Sequence, residues 1–422
     1  MKKTEQRRGA NDALAADVAL AIVLARARPV PAQPVGLDEA VGRVLAQAVK
    51  ADRPLPPYDR SAMDGYALRI RECTARDGRL TAVGIAPAGQ PFKGSVAKGS
   101  CVRIMTGGVV PTGLDAVVPI EQVSVAAEAV TVRGEAVRSL RPWQHIHRCG
   151  SDARRGRTLL PAGHQVRPVD VATLAAVGVA RPRVARELRV RLLATGSELV
   201  AVNRQPLAHQ IRESNVSMLT AILRRLPGVA VESAGLGVDR NAPLRARLVK
   251  ALSSCDLCLT TGGVSAGDFD LVPDLLAELG VRRVFHRLRI KPGKPLYFGV
   301  SRHGTLVFGL PGNPVSTLTT FHEFVLPAIR RLMGMPAAAA RPERLVLPLA
   351  EAIHKKTPLL EFARARLEPG ADGRPAAVRA APHGGSGDFY SLTQSDGLLL
   401  LGEEEHAFAA GQPVEFHPWR FF

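Results

Sequence analysis

The stretch LCLTTGGVSAGDFDLVPDLLAELG, residues 257–280, decides the fold. An apolar strand runs into a glycine loop and then into a helix, which is the order of elements in an α/β protein. The glycines let backbone N–H groups point into an open site, which suits an anion. Asp268 and Asp270 would repel that anion unless a cation such as Mg²⁺ lies between them. The stretch predicts a metal-assisted phosphate or oxyanion site; the alternative is an ordinary turn in which Asp270 caps the helix.

The surrounding residues repeat the strand–helix pattern. Strands are expected in LRVRLLATG and VAVESAGLGV, and helices in IRESNVSMLTAILRRL and NAPLRARLVKALSS. The segment GTLVFGLPGNPVSTLTTFHEFVLPAIRRLMG adds a strand, a tight turn and a long helix. Such a doubly wound sheet binds ligands at the carboxyl ends of its strands. The loops TGSE, TTGGVSAGDFD and LPGNPVS all fall at such ends.

The segments on either side of this α/β region have a different sequence pattern. We expect an N-terminal helix capped by Asn11 or Asp12, a second helix in LDEAVGRVLAQAV and a third in RPVDVATLAAVGVA. From ADRPLPPYDRSAMDGYALR to about residue 150, short Val-rich runs alternate with Gly and Pro, which predicts a small β-domain inserted between helices. Residues 340–422 predict a final β-domain.

Composition narrows the classes of partner. The chain has 422 residues and a formal net charge of +18, which suits phosphorylated metabolites, oxyanions or nucleic acid. The Arg residues are scattered without interleaved aromatic residues, so we do not expect nucleic-acid binding. Of the five Cys residues, Cys255 and Cys258 are expected in the core rather than on a metal. His145 and His147 are expected to be surface imidazoles. Asp17 interrupts the N-terminal apolar run and no run reaches membrane-spanning length, so we expect a cytoplasmic protein.

Further candidate site residues lie in four short motifs. KPGKP sets Lys291 and Lys294 around a turn, where both ammonium groups could converge on one anion. GLPGNPVS provides a turn before a helix, TGSEL places an acid past a strand end, and the β-domain carries SAMDGYAL and RIMTGG; the candidates are Gly312, Ser316, Glu198, Asp64 and Thr106. A helix cap or a turn is the alternative explanation for each motif taken alone.

Taken together and in order, these stretches resemble the molybdopterin molybdenumtransferase family, the bacterial molybdenum-insertion enzymes related to the E domain of gephyrin. The matching pieces are PPYDRSAMDGYAL, VRIMTGGVVPTGLDAVVPIEQ, ATGSELV, IRESNVSML, TTGGVSAGDFDLV, IKPGKPLYFG and GLPGNPVS. The resemblance implies a split helical domain, an inserted β-domain, a doubly wound α/β molybdopterin-binding domain and a C-terminal β-barrel. The corresponding bounds are 1–53 with 152–187, 54–151, 188–335 and 336–422.

The resemblance also implies a reaction: Mg²⁺-dependent insertion of molybdate into adenylylated molybdopterin, with release of AMP. Asp268 and Asp270 would hold Mg²⁺ with Glu198 nearby. The glycine loop would bind the pterin phosphate through Thr261, Gly262, Gly263 and Ser265. Molybdate and the dithiolene would face Lys291, Lys294 and Ser316, with Gly312 as a further cofactor-binding residue, and the last domain would add Arg364 and Ser391.

Asp64 and Thr106 match residues that the family supplies from the partner subunit, so a homodimer is implied, with molybdopterin adenylyltransferase as a further partner. The chain departs from the family at HRCGSDARRG, where His147 precedes Arg148 and Ser151 replaces an acid, and at Tyr390. Two alternatives remain at this stage. One is an adenylyltransferase, which is disfavoured by the sequence GVSAGDFD and by the length of the chain. The other is a non-catalytic molybdopterin-binding scaffold or carrier, which would need neither metal nor oxyanion ligands.

Overall fold

The structure, a computed structural model, describes residues 13–237, 241–264, 271–382, 384–385 and 387–421. Three of the candidate site residues lie outside this part of the chain: Ser265, Asp268 and Asp270. The candidate helix caps Asn11 and Asp12 lie outside it as well. The described residues fall into two compact units, one drawn from 1–47, 162–171 and 181–422 and the other from 48–161 and 172–180.

The first unit is built on a six-stranded α/β sheet. Its strands lie in the spatial order Val229–Gly237, Leu188–Thr195, Leu257–Thr261, Leu306–Leu310, Tyr297–Val300 and Arg282–His286. The first four strands are parallel and the last two pair antiparallel. Every residue of Leu257–Thr261 and Leu306–Leu310 is buried, because both faces of a parallel sheet are covered. The predicted doubly wound region is therefore present.

Helices pack on the sheet, and the hydrophobic core lies between the helices and the sheet. They are Ala16–Arg26, Asn215–Leu223, Asn241–Ser253, Val272–Glu278, Pro314–Thr320, Leu326–Leu332 and Ala337–Ala340, with a π-helical turn at Phe321–Val325. Phe298, Phe308, Phe321 and Phe324 are among the largest fully buried side chains. Cys255 and Cys258 are buried as predicted. Among the described residues, no helix combines the length and the apolar character that crossing a bilayer requires.

A second six-stranded sheet follows in the same unit. Its path is Ile290–Lys291, Leu360–Pro369, Gly397–Leu401, Pro413–Pro418 and Leu345–Pro348, with Pro375–Ala380 paired to Leu360–Pro369. A bridge between Leu349 and Val378 joins the last strand of the path back to Pro375–Ala380. The strands of the predicted C-terminal β-domain thus curve around one core, which contains Phe408 and Phe416. Short pairs complete the unit: Ala32–Pro34 with Arg183–Ala185, Leu199–Val200 with Ile211–Arg212, and Ile353–His354 with Ala407–Phe408.

The helix predicted in LDEAVGRVLAQAV is wrong. Residues 37–42 form turns, and Gly42 has φ +78°, which a helix does not allow. The N–H groups of Gly42 and Leu45 donate to the carbonyls of Val166 and His164. Val44 and Leu45 are both buried although they are adjacent, because the extended backbone between two neighbouring segments buries both of its faces. The predicted helix at RPVDVATLAAVGVA is present as Asp170–Ala176.

The second unit is rich in strands, as its Val-rich runs predict. Six strands pair in the order Ala116–Pro119, Gly65–Leu68, Ser100–Ile104, Arg79–Ala86, Ala129–Val132 and Val123–Ala126. Two short helices, Ile70–Ala75 and Gly134–Ser139, and a 3₁₀ turn at Ile120–Gln122 accompany them. Two short antiparallel strand pairings complete this unit. Val49–Lys50 pairs with Thr158–Leu160, and Arg60–Ser61 pairs with Ile146–His147. Leu68, Val118 and Val130 lie in its core.

A buried ionic cluster joins the α/β helices to the second sheet within the first unit. Both ring nitrogens of His417 are hydrogen-bonded, Nδ1 to Glu323 Oε2 at 2.8 Å and Nε2 to Glu415 Oε1 at 2.6 Å. Burial disfavours the charged imidazole, but these two carboxylates outweigh it and raise the pKa of His417 to about 9. Burial likewise opposes the charge of Glu323, whereas hydrogen bonds from His322 and His417 lower the pKa of Glu323 to about 2.

The cluster predicts a pH dependence of stability. An unfolded histidine has a pKa near 6.5, so the stabilisation from His417 is complete below that pH and is lost as the pH rises towards about 9. Between pH 6.5 and 9, wild-type protein should lose roughly 2–4 kcal/mol more free energy of unfolding than His417→Gln. The measurement is urea unfolding followed by Trp419 fluorescence. Trp143 is replaced by Phe in every variant, so that the second unit contributes no tryptophan signal. The exposed His354→Gln serves as control and should behave like wild type; an equal pH slope in His417→Gln would contradict the account.

Candidate functional site

A cavity of about 640 Å³ opens at the carboxyl ends of the central parallel strands. The loops that follow Leu188–Thr195, Leu257–Thr261 and Leu306–Leu310 line one side of it. The turn around Gly293 and the strand Leu360–Pro369 line it as well. This is the position at which a doubly wound sheet binds its ligand. Of the candidate residues, the structure brings Glu198, Gly262, Gly263, Lys291, Lys294, Gly312, Ser316 and Arg364 to this one cavity.

The glycine loop lies against the end of the neighbouring strand. Gly262 has φ +83°, and a Cβ atom there would overlap the carbonyl oxygen of Thr195. Gly263 has φ +63°, and its Cβ would lie 2.8 Å from Thr195 Oγ1. The Thr195 hydroxyl donates to the carbonyl of Thr261 at 3.2 Å, which fixes the strand end beneath the loop. Only glycine fits at both positions, so bare backbone faces the cavity.

Three cationic residues also line the cavity. Lys291 and Lys294 are exposed, and Lys291 Nζ lies 3.3 Å from Glu361 Oε2. The Arg364 guanidinium is buried with 4% exposure and donates to the carbonyl of Gly385 at 3.1 Å. Burial lowers the pKa of Arg364. A buried guanidinium that bonds to one carbonyl keeps most of its donors for an anion in the cavity.

The turn before Pro314–Thr320 is held by contacts that the sequence analysis missed. Asn215 Nδ2 donates to the carbonyl of Gly312 at 2.6 Å, and Thr317 Oγ1 donates to the carbonyl of Pro311 at 2.6 Å. Ser316 lies one turn into the helix and is buried at the cavity wall. Asn215 belongs to IRESNVSML, one of the motifs matched to the family, so the signal for it was present in the sequence.

Two further side chains support the site without having been predicted. His286 Nε2 is hydrogen-bonded to the carbonyl of Val264 at 2.8 Å, so it holds the last described residue of the glycine loop. Glu361 lines the cavity and accepts the hydrogen bond from Lys291. The sequence carried no motif for either residue. Glu361 reaches the cavity through pairing between segments that are distant in sequence, whereas the strand of His286 pairs with its close sequence neighbour Tyr297–Val300.

The acidic side of the cavity is described in part. Glu198 is exposed, and its carboxylate folds back over Gly196. Asp268 and Asp270 lie outside the described residues, and within the described part no three His, Cys, Asp or Glu side chains cluster to hold a metal. Carboxylate oxygen is the donor that Mg²⁺ prefers, and Glu198 offers it at the cavity.

Thr261 and Ser391 are buried and do not line the cavity. Thr261 ends its strand beneath the glycine loop. The Ser391 hydroxyl donates to the carbonyl of Asp388 at 2.6 Å, and the Ser391 N–H donates to the Asp388 carboxylate at 3.3 Å. In this structure Ser391 therefore stabilises a 3₁₀ turn, Phe389–Gln394.

Asp64 and Thr106 belong to the second unit and are bonded to each other. Both the N–H and the hydroxyl of Thr106 donate to Asp64 Oδ1, each at 2.6 Å. These hydrogen bonds lower the pKa of Asp64, since they stabilise its charged form. The predicted pair is thus an ionised carboxylate fixed by a threonine. His147 is exposed and His145 partly so, and no metal-binding group of three occurs among the described residues.

Three protein-family models match the chain. The model "MoeA N-terminal region (domain I and II)" matches residues 14–178, "Probable molybdopterin binding domain" matches residues 191–331, and "MoeA C-terminal region (domain IV)" matches residues 346–419. The glycine loop and both lysines fall within the second match. Arg364 falls within the third, and Asp64 with Thr106 falls within the first.

Curated relatives and solved structures agree with these matches. A molybdopterin molybdenumtransferase of Haemophilus influenzae is 33% identical over 93% of this chain and 95% of its own length. One of Synechococcus elongatus is 36% identical over 92% of this chain and 94% of its own. The crystal structure of the molybdopterin biosynthesis protein moeA from Pyrococcus horikoshii OT3 superposes with a TM-score of 0.81 at 28% identity, covering 96% of this chain and all of that one.

The contact between Gly262 and Thr195 predicts the cost of a side chain in the loop. Gly262→Ala should lower the free energy of unfolding by about 2–4 kcal/mol, because it adds an overlap to the strain of positive φ. Gly280→Ala is the matched control, since Gly280 has φ +79° but no atom within 4 Å of its Cβ position, and it should cost about 1 kcal/mol. Urea unfolding followed by Trp419 fluorescence measures both. Equal losses would show that the Thr195 contact is not what demands glycine.

Proposed function

The chain belongs to the molybdopterin molybdenumtransferase family, and from this premise we propose that it inserts molybdate into adenylylated molybdopterin in an Mg²⁺-dependent reaction that releases AMP. The observation that carries the proposal is that a bare glycine loop and the buried residue Arg364 line the same cavity. Backbone N–H groups and a desolvated cation both select for anions, and both substrates are oxyanions.

The glycine loop and the cationic residues of the cavity would bind different substrate groups. The backbone at Gly262 and Gly263 would accept the pterin phosphate, because it offers N–H donors with no side chain in the way. Lys291, Lys294 and Arg364 would stabilise molybdate and the thiolates that receive it, with the Ser316 hydroxyl as a further donor. The ion pair of Lys291 with Glu361 would hold the lysine in place until the anion arrives.

The acidic residues would hold Mg²⁺. Glu198 fits this role by donor chemistry and position, and Asp268 and Asp270 follow the glycine loop in sequence. When bound, Mg²⁺ offsets negative charge on the nucleotide phosphates as the phosphoanhydride breaks. The protein's own part is to orient that phosphate on the glycine loop and to exclude bulk water from the cavity floor.

The functional unit would be a homodimer. Asp64 and Thr106 match family residues that come from the partner subunit, and their hydrogen bonds keep the Asp64 carboxylate ionised and oriented. Adenylylated molybdopterin must be supplied by an adenylyl-transfer reaction, so the enzyme that performs it is the second expected partner.

Replacing Arg364 tests the oxyanion pocket. Arg364→Met should lower the rate of AMP release from adenylylated molybdopterin by about 10²–10³-fold, the range for losing one preorganised donor. Arg364→Lys should recover part of the rate, since it restores the charge. Arg366→Met is the control on the same strand; Arg366 donates to the carbonyl of Gln394 instead and should keep near wild-type release.

AMP is measured with and without molybdate and Mg²⁺. Release by wild type that requires both supports the transferase. Tight binding of the pterin without release under any condition would contradict it and favour a non-catalytic scaffold.

Mixed dimers test the shared site. Asp64→Ala and Asp270→Ala homodimers should each be inactive, whereas a dimer purified through two different tags, one on each variant, should recover about half of the wild-type AMP release. The reason is that one of its two composite sites carries no substitution. The doubly tagged wild-type dimer is the control. Absence of recovery would place all the required residues within one chain.

A further inference from the structure

A second cavity of about 600 Å³ lies elsewhere in the first unit. The two cavities share no described lining residue. Helix residues Leu326, Ile329 and Met333 contribute apolar surface to the second cavity, together with Leu226 and Phe421. Neither the family match nor the proposed reaction assigns it a role. Its size is that of a pocket for a small organic molecule.

Charged residues around this cavity are strongly unbalanced. Among its described lining residues are the arginines Arg225, Arg330, Arg341 and Arg420, whereas Glu343 is the one carboxylate. Glu343 Oε2 lies 3.5 Å from Arg420 Nε. The arginines Arg330, Arg341 and Arg420 exceed this one carboxylate by a formal two positive charges, and all three line the cavity together with the apolar residues.

Arg330 is partly buried in the lining of this cavity. Its guanidinium donates to two carbonyls, to Arg420 O at 2.9 Å and to Arg341 O at 3.3 Å. Burial lowers the pKa of Arg330, and the nearby Glu343 carboxylate opposes that shift. The two hydrogen bonds fix the direction of the guanidinium next to the exposed residues Arg341 and Arg420. A guanidinium held in one direction is a preorganised donor towards an anion.

We propose that this cavity binds an organic anion with two parts, a carboxylate, phosphate or sulfonate head against the arginines and an apolar body against the methionine and leucine floor. An inorganic anion would pair with the arginines but would leave the apolar floor in contact with water. A neutral apolar ligand would bury the floor but would add no negative charge opposite the arginines. The combination of rim and floor selects for both parts at once.

The proposal is tested by calorimetric titration of the full-length protein with three probes. 2-Naphthoate carries head and body, 2-naphthamide carries the same body without the charge, and acetate carries the head alone. We expect 2-naphthoate to bind at least tenfold more tightly than either of the others.

Two variants locate the binding. Arg341→Glu/Arg420→Glu reverses the rim on exposed side chains, and Ala338→Trp fills the cavity from a small exposed lining residue. Each should weaken 2-naphthoate at least tenfold while AMP release, measured separately, stays at the wild-type rate. Arg302→Glu/Arg374→Glu changes the net charge equally at exposed positions outside the cavity and should leave the affinity unchanged.

Three results would overturn the proposal: no detectable binding of 2-naphthoate, equal binding of 2-naphthamide, or an affinity that both cavity variants leave unchanged. The binding assay does not depend on catalysis. A failure of the proposed transferase reaction would therefore leave this test intact, and the reverse also holds.

Discussion

The structure of the site depends on the close approach of the glycine loop to the end of the strand Leu188–Thr195. Parallel pairing of this strand with Leu257–Thr261 brings the next residue, Gly262, against the Thr195 carbonyl. Because no side chain fits there, the backbone itself becomes the floor of the cavity. Asn215 then fixes the neighbouring turn through Gly312, and His286 fixes the loop through Val264. The elements around the cavity are thus aligned by the close approach of Gly262 to Thr195 and by hydrogen bonds from two side chains to backbone carbonyls.

Charge is arranged around that floor in a way that favours anions. The chain carries a large net positive charge, but the functional effect comes from where a few cations are desolvated. Arg364 is buried and bonded to a neutral carbonyl, whereas Lys291 is exposed and paired with Glu361. In the proposed function the first would be a fixed receptor and the second would exchange Glu361 for the anion. In the second cavity Arg330 is likewise oriented by backbone carbonyls, but it is only partly buried and lies near Glu343.

Much of the fold could be predicted from the sequence because short stretches of sequence reveal both the order of strand, loop and helix and the glycines at the turns between them. The strands and helices of the α/β region and the Val-rich sheet are present where the patterns placed them. The helix expected in LDEAVGRVLAQAV failed because tertiary pairing with residues 164–166 and 183–185 overrode a local propensity, with Gly42 at positive φ. Glu361 could not be predicted, since its position arises from pairing between distant strands, and no motif around His286 marks its hydrogen bond to Val264. Asp268 and Asp270 remain sequence-based predictions.

The central claim is that molybdate binds between the glycine loop and Arg364. Anomalous diffraction at the molybdenum edge, from crystals soaked in molybdate, tests it most directly. The account predicts a molybdenum peak within the cavity that Lys291, Ser316 and Arg364 line, and loss of that peak in Arg364→Met. A peak confined to the arginine-lined second cavity, or one that persists in Arg364→Met, would contradict the account.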